Sequence, residues 1–268
     1  MNHALGFGLM ISSIMFAPAM STPAMAQSPF DGAWRLDNSD SQPSTMHYDY
    51  LLQDGIYHCT SCDPPIDVPA DGQDHKITGE PCYDTVSVKV VDERTTDETD
   101  KRNGKIVGTL RMTVSADGKA ATEEWTESCN AKGDIVAGQD IMGRLGVGPS
   151  RSHAISGSWK ILKRLKRSEN ALMITMKLVD HEFTFADPTG QGYTAKLDGT
   201  ETPIKGDISG ALVSVKLINE RTIEETVKHE GKVNQVTRFV ISADGKVLTI
   251  FQENRSNGTT RQFVAHKQ

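Results

Sequence analysis

Apolar and polar residues alternate along most of this chain. Within residues 172–178, Leu172, Ile174, Met176 and Leu178 fall on one side of an extended chain, and more polar residues fall on the other. The same two-residue period appears at residues 46–52, 86–90 and 213–217. Such alternation is typical of β-strands with one buried and one wet face. The pattern therefore predicts strands of about seven to ten residues.

Turn signals separate the predicted strands at short intervals. They are Asn103-Gly104, Asp117-Gly118, Glu230-Gly231, Asp244-Gly245 and Asn257-Gly258. Each is suited to a tight hairpin, because glycine tolerates positive φ. Consecutive strands are therefore expected to pair as antiparallel neighbours, and no segment of helical period separates them.

One long stretch occurs twice. The segment from Val86 to Thr99 returns in closely similar form as Val213 to Thr226, an offset of 127 residues, and about half of the aligned positions are identical. A repeat this long is a whole domain rather than a solenoid module. It predicts two units, residues 27–148 and residues 152–268, joined near Gly148-Pro149-Ser150.

The predicted fold class is all-β. Each unit supplies about nine strands in a meander. A sheet of that length with one apolar face buries this face most simply by closing on itself, which also removes its edges. We therefore expect two tandem antiparallel up-and-down β-barrels.

The first residues belong to neither unit. Leu5 to Ala19 is a short apolar run, and Ala24-Met25-Ala26 has the small-x-small pattern of a signal-peptidase site. We interpret residues 1–26 as a signal peptide, although the segment before the apolar run has no Lys or Arg. A membrane anchor is the alternative, but the run is shorter than the ~20 residues that a span needs. The expected location is periplasmic or secreted.

A Gly-x-Trp motif opens each unit, as Gly32-Ala33-Trp34 and Gly157-Ser158-Trp159. Together with the repeated Ser-Ala-Asp-Gly-Lys turns, the chain resembles uncharacterised exported bacterial proteins with tandem lipocalin-like β-barrel repeats. In lipocalin-like barrels the tryptophan of this motif closes one end. The resemblance implies a ligand-binding barrel and no catalytic residues.

The first unit contains all four cysteines, which are Cys59, Cys62, Cys82 and Cys129. In an exported chain they indicate two disulfides, and the short first spacing favours a local bridge that leaves Cys82 to pair with Cys129. A redox pair is one alternative, but Pro64-Pro65 follows Cys62 and prevents a helix from starting there. A zinc site with His58 is another, but His58 and Cys59 are adjacent in a predicted strand and face opposite sides.

Charged residues recur at matching positions of the two units. They are Glu93-Arg94 with Glu220-Arg221, Glu98 with Glu225, and Arg111 with Arg238. A catalytic interpretation would pair the carboxylates as acid and base, but cross-strand ion pairs on a wet face explain them with fewer assumptions. The sequence has no Gly-x-Ser-x-Gly motif, no glycine-rich phosphate loop and no histidine pair at ligand spacing. We therefore predict no catalytic residue, metal, cofactor or nucleic-acid partner, while enzymatic activity stays open.

The net charge of −6 conceals an asymmetry. Residues 27–151 carry 12 Lys and Arg against 22 Asp and Glu, and residues 152–268 carry 17 against 13. Units of opposite sign would attract each other or divide partners between them, and drift after duplication explains the same numbers. The densest basic run holds Lys160, Lys163, Arg164, Lys166 and Arg167. It predicts a solvated edge strand or, alternatively, a contact with an anionic surface.

The inner face of the long strand before each Ala-Asp-Gly-Lys turn differs between the units. The first unit would place Ile106, Gly108, Leu110, Met112 and Val114 there, and the second Val233, Gln235, Thr237, Phe239 and Ile241. Buried uncharged polar groups need partners. We therefore expect Gln235 and Thr237 to face each other, water or the polar end of a ligand, with Met176, Phe183 and Phe239 as apolar walls.

These features favour an exported binding protein for a small apolar or amphipathic molecule, because a barrel of this strand count can enclose one small ligand. A rigid envelope adaptor with two solid barrels is the alternative. A barrel isomerase or lyase is a third hypothesis, and it would need polar groups that converge in the lumen.

Overall fold

The computed structural model describes residues 28–38, 45–62 and 64–268. The predicted signal peptide, residues 1–26, lies outside the described residues. The first ten strands are β1 (Gly32–Leu36), β2 (Tyr48–Gln53), β3 (Ile56–Cys59), β4 (Ile66–Pro69), β5 (His75–Lys76), β6 (Thr85–Asp92), β7 (Thr95–Arg102), β8 (Lys105–Val114), β9 (Ala120–Glu127) and β10 (Val136–Val147). The second ten are β11 (Gly157–Arg167), β12 (Met173–Val179), β13 (Glu182–Ala186), β14 (Gly192–Lys196), β15 (Thr202–Pro203), β16 (Leu212–Asn219), β17 (Thr222–His229), β18 (Lys232–Ile241), β19 (Val247–Asn254) and β20 (Thr260–Lys267). Glu169–Ala171 form a 3-10 turn, and the described residues contain no other helix.

The strands form two antiparallel sheets of ten strands each, and each sheet curls into a nearly closed barrel. The first barrel has the order β4-β3-β2-β11-β10-β9-β8-β7-β6-β5. The second has the order β14-β13-β12-β1-β20-β19-β18-β17-β16-β15. One isolated bridge joins the two ends of each sheet: Asp71–Lys89 in the first barrel and Asp198–Lys216 in the second. The prediction of two tandem all-β barrels is confirmed, with one strand more per barrel than expected.

The predicted hairpin turns also lie between paired strands. Asn103 and Gly104 join β7 to β8 with φ values of 51° and 77°, and Glu230 and Gly231 join β17 to β18 with 50° and 76°. Two consecutive residues of positive φ twist the chain in the sense that an antiparallel hairpin needs. The turn signals therefore set the order of strands within each meander.

The two sheets do not divide the chain where the repeat does. Strand β1, at the start of the first repeat, pairs with β12 and β20 in the second barrel. Strand β11, at the start of the second repeat, pairs with β10 and β2 in the first barrel. The hairpin of β10 and β11 thus crosses the expected boundary between residues 148 and 152. Each barrel contains the opening strand of the other repeat.

The two exchanged strands share the Gly-x-Trp motif. Trp34 and Trp159 are fully buried, and their indole nitrogens donate to the carbonyl oxygens of Phe30 and Ile155 at 3.0 and 2.8 Å. Gly157 has a φ of 126°, and a Cβ atom there would lie 2.2 Å from the Gly146 carbonyl oxygen. Only glycine fits this position. Each tryptophan closes the barrel of the other repeat.

Charge gives a physical reason for the exchange. In the first barrel, Asp140 of β10 is 2% exposed, and Arg167 of β11 binds both of its carboxylate oxygens at 2.8 and 2.9 Å. Strand β1 ends at Leu36, the counterpart of Ile161, and the arginine within it, Arg35, lies on the outer face and pairs with Glu169. With β11 included, residues 48–167 carry 16 Lys and Arg against 19 Asp and Glu, so the strong asymmetry between the repeats largely disappears. The basic strand therefore compensates the acidic barrel.

Bulges change the inner face at the end of two strands. Register shifts follow Asp100 in the β7–β8 pair and Val227 in the β17–β18 pair. Ile106 and Val233, which the alternation predicted to point inward, are 59% and 39% exposed. An extra residue at a bulge turns the following side chain to the other face, so these two predictions were wrong. The other inward residues of β8 and β18 keep the predicted face.

Candidate ligand-binding site

The second barrel is solid in one half and hollow in the other. Around Trp34 the fully buried residues Phe183, Val213, Ile223 and Leu248 form part of one hydrophobic core. Beyond them lies a cavity of about 390 Å³. Its apolar lining includes Leu36, Ile174, Phe185, Val227, Phe239 and Phe263. The cavity is large enough for one small molecule.

Three of the five predicted ligand-binding residues line this cavity, namely Gln235, Thr237 and Phe239. Met176 and Phe183 are 1% and 0% exposed and lie in the solid half. The ring centroid of Phe183 is 6.1 Å from that of Phe239, so Phe183 supports the cavity wall from behind. The structure therefore places the predicted set together, with two members one layer below the cavity.

A chain of hydrogen bonds connects the polar groups of the cavity. The Gln235 amide nitrogen donates to the Thr237 hydroxyl at 3.1 Å. The hydroxyls of Thr237 and Tyr193 both donate to the Glu225 carboxylate. Burial raises the pKa of Glu225, and these two donors partly oppose the rise. The carboxylate is thus satisfied from within, while the amide oxygen of Gln235 accepts no hydrogen bond from the described residues.

Glu225 and its repeat partner Glu98 were predicted on the wet face, and this was wrong. Glu225 is 7% exposed inside the second barrel, and Glu98 accepts a hydrogen bond from Tyr57 inside the first. The repeated arginines do form ion pairs on the outer face of each barrel. Their partners are the residues just before the two glutamates: Arg111 pairs with Asp97 at 2.6 Å and Arg238 with Glu224 at 2.8 Å. Neighbouring residues of a strand face opposite sides. The apolar residues Ile223 and Val227 on either side of Glu225 were the available signal.

The lumen of the first barrel is acidic. Five carboxylates face it, from Glu98, Asp100, Glu123, Glu127 and Asp140. Strand register gives the second barrel Glu225, Val227, Ile250, Asn254 and Phe263 at the corresponding positions. Sequence reasoning missed this difference, although aligning the repeats sets Glu123 against Ile250 and so marks a carboxylate at a core position.

Burial controls the acidity of this cluster. Burial, with the neighbouring charge of Asp100, raises the pKa of Glu98 to about 8. Burial, with Asp140, raises the pKa of Glu123 to about 7. Burial, with Glu80, raises the pKa of Asp100 to about 6. Glu98, Glu123 and Asp100 therefore change charge between about pH 6 and pH 8.

The basic run is a strand of the first barrel, and only part of it faces solvent. Arg164 and Arg167 turn inward to Asp140, at 3.9 and 2.8 Å, with side chains 15% and 8% exposed. The arginines are therefore not available to an anionic surface. Of the three lysines in the run, Lys163 and Lys166 are exposed. The contact with an anionic surface stays a prediction for the lysines alone.

All four cysteines form disulfides. Cys59 is bonded to Cys62 and Cys82 to Cys129, as the spacing favoured. Cys59 ends strand β3, and the adjacent His58 faces Asp67 at 3.1 Å on the outer side. Within the described residues, no three His, Cys, Asp or Glu side chains come together in a way that could hold a metal ion.

No protein-family model matches the chain, and no curated protein matches it either. Among the described residues, no helix is both long and apolar enough to cross a membrane.

Proposed function

We propose that this protein is an exported carrier that binds a small amphipathic molecule in its second barrel. The observation that carries the proposal is the cavity of about 390 Å³, in which apolar walls surround a short row of polar groups. A ligand would place its apolar body against Phe239 and Phe185 and its polar end at Gln235. The two disulfides support export, because such bonds persist in oxidising compartments. The family of exported tandem lipocalin-like barrels suggested by the Gly-x-Trp motifs fits this proposal.

The cavity favours a carrier over a rigid adaptor. An adaptor with solid barrels would gain stability from filling the interior, since empty volume in a core destabilises a fold. Gln235 also keeps an amide oxygen without an internal partner at the cavity wall. The cavity and the available amide oxygen are both useful to a protein that binds a ligand, and neither is useful to a rigid adaptor.

A neutral fluorescent probe tests the proposal. N-phenyl-1-naphthylamine, whose emission rises in apolar surroundings, should bind the wild-type chain. Val227→Trp should abolish the binding, because Val227 lines the cavity and the larger ring fills it. Thr226→Trp is the matched control: Thr226 is the neighbouring residue of β17 and faces the other side, so this variant should bind the probe as the wild type does.

A variant of Gln235 tests the contact with the polar end of the ligand. 1-Octanol, whose hydroxyl can bond to Gln235, should displace the probe from the wild type. Gln235→Leu should lower the apparent affinity of 1-octanol roughly 2- to 10-fold, the effect of one lost hydrogen bond, and should leave binding of the probe itself unchanged. Equal fluorescence of wild type and Val227→Trp would refute a site in this cavity.

A further inference from the structure

The first barrel contains a cavity of its own, with different chemistry. Its volume is about 360 Å³, similar to that of the second barrel. The lining includes Glu98, Asp100, Glu127, the rings of Tyr83 and Trp125, and the Cys82–Cys129 disulfide. Glu80 lines it as well, so four carboxylates and two aromatic rings surround a space of molecular size.

Two buried oxygen atoms in this lumen have no partner. Glu123 is 6% exposed, and its Oε1 atom is buried without a hydrogen bond from the described residues. The Oδ1 atom of Asp100 is also buried without a hydrogen bond from the described residues. Buried polar atoms are nearly always paired in folded proteins. The lumen therefore contains acceptor atoms for which the described part of the chain supplies no donor.

The nearby cations are already engaged. Arg167 binds both oxygens of Asp140 at 2.8 and 2.9 Å, and its guanidinium also lies 4.8 Å from the centre of the Trp125 ring. The Trp125 indole nitrogen donates to Asp140 at 3.1 Å. Asp140 is thus fully satisfied, which leaves the charges of Glu98, Asp100 and Glu123 without a comparable cation. A ligand that enters this lumen would be favoured by a positive charge and by N–H donors.

We propose that the first barrel binds a small organic amine in its protonated form. The ammonium group would lie between Glu98 and Asp100 at the cavity wall, with Glu123 deeper in the same lumen. The organic part would contact Tyr83 and Trp125. This site is separate from the cavity of the second barrel, and it does not depend on that cavity binding anything.

The test uses three probes of one shape and different charge on the full chain with its disulfides intact. They are 2-phenylethylammonium, neutral 2-phenylethanol and phenylacetate, each titrated calorimetrically at pH 8. The wild type should bind the ammonium compound and bind the other two at least about 10-fold more weakly, the usual effect of a charge-assisted hydrogen bond. Equal binding of the three probes, or no binding of the ammonium compound, would overturn the proposal without any variant.

Variants locate the site. Glu98→Gln with Asp100→Asn should lower the association constant for 2-phenylethylammonium roughly 10- to 100-fold. This double variant removes buried like charges, so we expect it to fold, and circular dichroism checks that it does. Either single variant serves if the double variant does not fold.

Two controls remove one negative charge elsewhere. Glu225→Gln changes the repeat partner of Glu98 in the second barrel, and Glu124→Gln changes the outer face of β9 next to Glu123. Both should bind the ammonium compound as the wild type does. Unchanged binding by the double variant would place the amine outside this lumen and refute the proposal. A failure of the neutral probe in the second barrel would leave this result unaffected.

Discussion

Single positions decide the chemistry of each lumen. Glu98 and Glu225 occupy equivalent places in the two repeats, and each accepts a hydrogen bond from a tyrosine of the facing wall, Tyr57 or Tyr193. Around Glu225 the neighbours are apolar or uncharged, so one carboxylate with two donors is stable inside. Around Glu98 lie further carboxylates, whose charges add to the cost of ionising it.

The pH dependence of stability follows from these shifts. A carboxyl group whose pKa is raised in the folded state binds more protons folded than unfolded, so its contribution to stability is lost as pH rises through the folded pKa. For Asp100, Glu123 and Glu98 the folded values are about 6, 7 and 8. The free energy of unfolding should therefore fall between about pH 5 and pH 8, and above pH 7 the fall should come mainly from Glu98.

Glu98→Gln tests this directly. The variant should lose most of the pH dependence between pH 7 and pH 8 and should be more stable than the wild type at pH 8.5. Chemical denaturation across this range measures it, and Glu124→Gln on the outer face of the barrel is the control for a simple change in net charge. A wild-type curve that rises from pH 6 to pH 8 would contradict the assignment of these carboxylates to the lumen.

The alternation of residues predicted part of this picture. It placed Gln235, Thr237 and Phe239 on one inner face because large apolar neighbours mark that face. It failed in β7, where Thr96, Glu98 and Asp100 on the inner face are as polar as Asp97 and Thr99 on the outer. A two-residue period without an apolar side does not show which side is buried, and only comparison with the other repeat would have shown it.

At the level of strands, the notable feature is the exchange of β1 and β11. Both strands begin with Gly-x-Trp, so the motif predicts that each closes a barrel end but does not say which barrel. The choice depends on partners that are distant in sequence, such as Asp140 for Arg167, and on the hairpin that joins β10 to β11. Local pattern therefore predicted the strands, the turns and the closed barrels, but not this connection.

Tryptophan variants test the exchange. Trp34→Ala should destabilise the cysteine-free second barrel, and Trp159→Ala should destabilise the disulfide-containing first barrel, each by about 3–5 kcal/mol, because both rings are fully buried. Calorimetry measures the two transitions, and sensitivity to a reductant identifies the first barrel, since removing a disulfide typically costs about 2–5 kcal/mol. Loss of stability in the reductant-sensitive transition on Trp34→Ala would mean that each repeat keeps its own first strand.

The whole molecule consists of two copies of one barrel whose interiors have diverged. The second lumen is largely apolar, with Glu225 as the one carboxylate in its row of polar groups, while the first holds five carboxylates and the two arginines of β11. Similar cavity volumes of about 390 and 360 Å³ with different linings are the basis of our proposal that the two barrels bind ligands of different charge. The exchanged strands β1 and β11 link the two barrels.

One NMR experiment examines both lumens in the same sample. The full chain, with labelled methyl and aromatic groups, is titrated first with N-phenyl-1-naphthylamine and then with 2-phenylethylammonium. The neutral probe should shift the resonances of Phe239, Phe185 and Val227, and the ammonium probe those of Tyr83, Trp125 and Leu110, with both sets saturating independently. If both probes shift the same barrel, or if the shifts are confined to the outer faces, the two cavities are not separate sites for two classes of ligand.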